Sequence, residues 1–179
     1  MKTIVKLCAA AAACGLLLSG ARAAAAEAAR ISGKDAFEIL KGFAGEWTGK
    51  VAEGEPVPNP SVIYHVTAAQ SAVVETLFPG TAHEMVTVYH MDGDKLVMTH
   101  YCAAGNQPHM RLAKKSTRTD LLFEFVSGSN MNPRKDSHMH SAHIHIEGEG
   151  RITGEWSGFK DGKPDHEAKF VLTRKGSGA

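Results

Sequence analysis

Cysteine is scarce, and the few present are badly placed for cross-linking. Of the three in the chain, Cys8 and Cys14 belong to the apolar start, so Cys102 stands alone in residues 27–179, where no intramolecular disulfide can form. A single thiol in an oxidising compartment is buried, liganded, reactive or joined to another chain; burial is the commonest fate, because free cysteine packs as a small hydrophobe. An excess of one charge is missing too. Losing Lys2, Lys6 and Arg22 with residues 1–26 takes Lys+Arg from 20 to 17 against 19 Asp+Glu. That balance of about −2 argues against nucleic acid or an anionic membrane surface as partner. After residue 18 no run approaches the ~20 apolar residues of a spanning helix, so no integral membrane span is expected. Gly-x-Ser-x-Gly, His-Glu-x-x-His and a phosphate loop are also absent, which makes an enzyme the less favoured reading.

The start reads as an export signal. Lys2 and Lys6 give a positive end, residues 7–18 an apolar core, and Ala21-Arg22-Ala23 a small-residue cleavage site, with removal expected after Ala23 or Ala26. Ala11-Ala12-Ala13 before Cys14 is a loose lipobox that the apolar run continues past, so a lipid anchor is not expected. Residues 27–179 then form one domain, with enough chain to bury a substantial core, located in the periplasm or outside the cell.

What is abundant is strand pattern. Ser32 caps a short helix over residues 34–41, with Ala36, Phe37, Ile39 and Leu40 on its apolar side and Gly42 at its end. Helical periodicity then stops. Residues 45–51, 61–67 and 72–78 read as strands, with a proline-rich loop over 53–60. Residues 85–90 and 95–102 make a hairpin around Asp92-Gly93-Asp94. Strands are expected again over 110–113, 121–125, 138–147, 151–159 and 167–173, with 105–108 and 128–136 as loops. About ten short strands joined by turns predict an all-β, antiparallel up-and-down barrel with a short N-terminal helix, because neighbour pairing and closure leave no free edge. A sandwich is the second choice.

A short helix followed by Gly45-x-Trp47-x-Gly49, opening the first strand of an up-and-down chain, resembles the calycin superfamily: lipocalins, fatty-acid-binding proteins and nitrobindin-like barrels. The stretch MVTVYHMDGDKLVMTHYC, Asn106-Gln107-Pro108 and the terminal Trp156, Asp161-Gly162-Lys163, Phe170 and Arg174 are similar to small secreted bacterial proteins of that kind. The resemblance implies a barrel with a ligand cavity at one end and the helix near the other. It implies structural roles for Trp47 at the closed end and for Arg174 covering it. Nitrobindin-like barrels hold heme through one histidine, a place His100 or His140 would take.

Two sets of side chains carry candidate chemistry. On residues 95–102, Leu96, Met98, His100 and Cys102 share one face and Val97, Thr99 and Tyr101 the other, and either makes a respectable interior. On residues 138–147, His138 and His140 go with Ala142, Ile144 and Ile146, read as inward, whereas His143 and His145 go with Ser141 and Glu147, read as solvated. Imidazoles and a thiolate from facing strands suit zinc or copper, so His100, Cys102, His138 and His140 are the candidate metal ligands. The bland alternative has His140 bonded to a carbonyl and Cys102 buried and inert. His143-x-His145 with Glu149 resembles part of a cupin motif, but Ser137 and Trp156 stand where its glycines belong. For a ligand, Leu96, Met98, Phe123, Phe125, Ile144, Trp156 and Phe170 are candidate walls. His100 and His140, with Tyr101, Asn106, Gln107 and Arg111 near the mouth, are candidate polar contacts. The expected function is binding of a small, largely apolar molecule without a cofactor. Zinc, copper or heme binding through His100, Cys102 and His140 is the alternative, and a cofactor-free enzyme using the same groups the third reading.

Overall fold

In a computed structural model, which describes residues 30–51, 58–148 and 150–176, the strands close into one antiparallel ring. The expected export signal, part of the proline-rich loop and Glu149 lie outside the described residues. The strands are β1 Gly45–Val51, β2 Val62–Thr67, β3 Ala72–Leu77, β4 Met85–Asp92, β5 Lys95–Tyr101, β6 Gln107–Leu112, β7 Asp120–Ser129, β8 His138–Gly148, β9 Arg151–Lys160 and β10 Lys163–Arg174. Each pairs with its sequence neighbours, and β1 also pairs with β10, from Trp47 opposite Arg174 to Val51 opposite Phe170. Closure of this kind removes the unpaired edges that a flat meander would expose. The all-β class, the ten strands and the meander are as the sequence predicts, and the architecture is compatible with the calycin resemblance. No helix among the described residues is long and apolar enough to cross a membrane.

Boundaries differ most at three strands: β10 starts at Lys163, ahead of the expected residue 167, and β6 and β7 also depart from expectation. β6 starts at Gln107, so Gln107 and Pro108 belong to a strand instead of a loop. Pro108 is tolerated there because it stands opposite Gly128 beside a register shift at His109, where the ladder is already irregular. β7 continues to Ser129, since pairing with β6 outweighs the weak strand preference of Ser127-Gly128-Ser129.

The helix α1, Gly33–Lys41, begins where the Ser32 hydroxyl accepts the Asp35 N–H at 3.0 Å. It buries Ala36, Phe37 and Leu40 against the turn end of the β4–β5 hairpin. Gly33 permits that seat: a Cβ there would lie 2.6 Å from the Asp94 carbonyl oxygen. At the same end Trp47, 1% exposed, meets Phe43 and Tyr64 edge to face. Its indole N–H donates to the Phe43 carbonyl at 2.8 Å. Arg174 lies 4.6 Å over the Trp47 ring and donates to the carbonyls of Ala44 and Gly42, which is the covering position the resemblance implies. The middle of the barrel is solid. Leu96, Met98, Phe123 and Ile144 are all buried there, and the gap bordered by Val62, Tyr64, Ile144 and Trp156 is only about 10 Å³. These residues therefore fill the barrel core.

Candidate functional site

The alternation of strand side chains lines up one polar row on the inner face. Tyr64, Glu75, Thr87 and His100 stand directly opposite one another across β2, β3, β4 and β5, and all four are buried. A buried carboxyl is costly without partners, and Glu75 has them: Tyr64 donates to one oxygen at 2.6 Å and Tyr89 to the other at 2.8 Å. Burial pushes the Glu75 carboxyl above its ordinary pKa, against the opposing pull of hydroxyl contacts from Tyr64, Tyr89 and Thr87. Burial raises both phenols well above theirs, and the neighbouring Glu75 raises them further, so they stay protonated and donate.

His100 ends the row. Its Nδ1 lies 3.0 Å from Thr87 Oγ1 and its ring packs 4.6 Å from the Trp156 ring. Burial lowers its pKa to about 4, so the imidazole is neutral at pH 7. Its Nε2 is buried with no hydrogen-bond partner among the described residues. Such an atom costs about 1–3 kcal/mol of folding stability and calls for a reason. The reason is local: His100 forms part of the wall of a cavity of about 150 Å³, otherwise lined by Leu77, Phe78, Met85, Met139, Trp156, Ala168 and Phe170. Phe78 holds a left-handed backbone, φ 52°, in this wall, a strained conformation for a bulky residue and one that clusters at binding sites. A cavity of this size admits a single benzene-sized ring. It falls short of the ~300–1,000 Å³ of sites for drug-sized ligands and is too small for heme.

Of the thirteen residues expected to meet a ligand, His100, Trp156 and Phe170 converge on this cavity. The inward face of β5 is Leu96, Met98 and His100, leaving Tyr101 51% exposed. Arg111 is exposed on β6. Met98 and Phe123 are core. Asn106 is buried, donating to the Ser137 carbonyl, with its own oxygen unpartnered, and Gln107 bonds the Gly105 carbonyl and the Asn130 amide. A register shift between Met139 and Ser141 breaks the parity of β8. It brings Met139 into the cavity wall, while His140 stacks on Phe125 at 4.8 Å and on Phe159 at 3.8 Å. His138 Nε2 contacts His140 Nδ1 at 3.1 Å, and burial together with His138 lowers the His140 pKa. The four expected metal ligands are not gathered, and Cys102 sits half-buried beyond the end of β5. Among the described residues the group of three close enough to share an ion is Asp120, His143 and His145, on the outer face.

Glu75, Tyr64, Tyr89 and Thr87 escaped sequence reasoning. One signal was there: Glu75 takes the inward parity between Val73 and Leu77 in an otherwise β-branched strand.

A larger cleft, about 520 Å³, lies at the helix end between α1 and the β8–β9 turn, bordered by Phe43, Trp47, Ile152 and Arg174. The Trp47 indole and the Arg174 guanidinium there are already bonded within the protein. The smaller cavity is the better candidate because one of its wall residues, His100, carries a buried nitrogen with no partner among the described residues. Comparison with known protein families, with curated proteins and with solved structures finds no match to this chain.

Proposed function

We propose that this chain is an exported, calycin-like binding protein that holds one small, largely apolar molecule bearing a hydrogen-bonding group in the cavity walled by His100 and Trp156. The observation that carries this reading is the buried, unpartnered His100 Nε2 beside apolar walls. Apolar contact supplies most of the affinity at ~25 cal/mol per Å² buried, and the imidazole fixes the orientation. The Thr87 hydroxyl engages His100 Nδ1, which leaves Nε2, whichever tautomer the ring takes, as the polar atom of this wall residue open to a ligand. The preferred ligand therefore carries a hydroxyl, which can donate or accept, such as a phenol or alcohol. The positive, apolar and small-residue segments of the first 26 residues support export.

The test compares p-cresol with toluene on the untagged mature protein by calorimetry. p-Cresol is expected to bind about tenfold tighter, the worth of one ~1.4 kcal/mol hydrogen bond, and to lose that advantage in His100→Leu. Equal affinities that the substitution leaves unchanged, or no binding of either compound, would overturn the reading. N-terminal sequencing of exported protein is expected to start at Ala24 or Glu27.

A further inference from the structure

The outer face of the β7–β8 pair carries a second constellation, independent of the cavity. Asp120 stands directly opposite His145, and His143 lies one step along the same face opposite Leu122. Both imidazoles converge on one carboxylate oxygen: Asp120 Oδ1 is 3.0 Å from His143 Nε2 and 2.7 Å from His145 Nδ1. The three ligand atoms all lie within 4.8 Å of one another. We propose that Asp120, His143 and His145 form a surface site for a divalent transition metal of the zinc and copper(II) class.

Three features argue for a built site beyond a chance cluster. The first is ligand type: two imidazoles and one carboxylate are the donor set of open three-ligand zinc sites, which leave the remaining position to water. The second is spacing. Donors ~2.0–2.2 Å from a tetrahedral ion sit ~3.3–3.6 Å apart, so side-chain rotations alone adjust the observed separations. The third is support from outside the trio. Asp120 Oδ2 accepts from Thr119 Oγ1 at 2.7 Å and from Thr117 Oγ1 at 3.3 Å, which leaves Oδ1 turned to the rings. On the far side of His143, Nδ1 lies 3.5 Å from Glu155 Oε2, the carboxylate partner that holds a ligating imidazole with Nδ1–H outward and the Nε2 lone pair toward the ion. Lys169 pairs with Glu155 at 2.5 Å and neutralises that carboxylate, leaving the Asp120 charge to the cation. Hydrogen bonds from Thr119, His145 and His143 hold Asp120 well below the usual carboxylate range, so it is ionised at every working pH. Each imidazole would ligate through the nitrogen that now faces Asp120 Oδ1, with its proton on the other nitrogen.

The test is equilibrium dialysis of untagged mature protein against Zn²⁺ at pH 7.5, together with Co²⁺ substitution followed by visible absorption. One zinc per chain is expected, with a cobalt d–d band. His145→Ala and Asp120→Asn are each expected to weaken zinc binding at least tenfold and to abolish the band. Both variants are expected to keep the wild-type circular dichroism spectrum and urea midpoint, which shows that they are folded. Absence of binding at 100 µM zinc would overturn the proposal. So would zinc binding that both substitutions leave unchanged, which would move the ion to the His138–His140 pair.

Discussion

The two ends of the barrel hold the same kinds of residue, an aromatic cluster with a nitrogen heterocycle and a charged or polar partner, yet they are finished differently. At the helix end the Trp47 N–H reaches a carbonyl and Arg174 caps two more, so the polar atoms of that cluster are consumed in holding the structure. At the other end His100, part of a cavity wall, has one nitrogen tied back to Thr87 and the second without a partner among the described residues. A satisfied polar group tells of stability, and an unsatisfied one held rigidly tells of recognition. Volume alone would select the opposite end, because the larger cleft borders the satisfied cluster.

That contrast breaks most visibly at Trp47. Trp47→Ala removes a fully buried indole and is expected to cost about 3–5 kcal/mol in urea unfolding, while p-cresol affinity of the folded fraction stays within about twofold. The opposite pattern would assign Trp47 to binding. The next effect is in pH. The His100 pKa is about 4 in the folded chain and ~6.5 unfolded, so between these values the unfolded state binds the extra proton and stability falls as pH falls. The contribution is fully present above pH 6.5, and about 3 kcal/mol of it is lost by pH 4. The difference in unfolding free energy between wild type and His100→Leu should therefore vary across that window and be flat above it; a flat difference throughout would place His100 in water. The smallest effects belong to the barrel exterior: Tyr101→Ala and Arg111→Ala should each change stability by less than about 0.5 kcal/mol and p-cresol affinity by less than twofold.

Much of the fold was legible because its signals are local. The Asp92-Gly93-Asp94 turn and the alternation of Leu96, Met98 and His100 specify a hairpin and a buried face without any knowledge of neighbours. The Trp47 and Arg174 places followed from resemblance. The site was less legible because it depends on register between strands. Nothing near Glu75 in sequence announces that Tyr64, Thr87 and His100 stand in line with it. The shift at His140 is a matter of two strands failing to count together, so parity alone does not place its ring. The outer histidines were correctly read as facing away from the core, but their partner Asp120 lies on the preceding strand and becomes a neighbour only through the β7–β8 pairing.

The way the ring shuts also governs how the chain assembles. Nine of its ten strand pairings join sequence neighbours and can nucleate as hairpins within short stretches of chain. The tenth, β1 with β10, draws together segments as far apart as Ala44 and Arg174, 130 positions along the sequence. Contacts that distant form slowly, because the loop entropy is lost before the contact returns anything. The step that shelters both outer strands is thus the slow one, and the arginine that covers Trp47 arrives only with it.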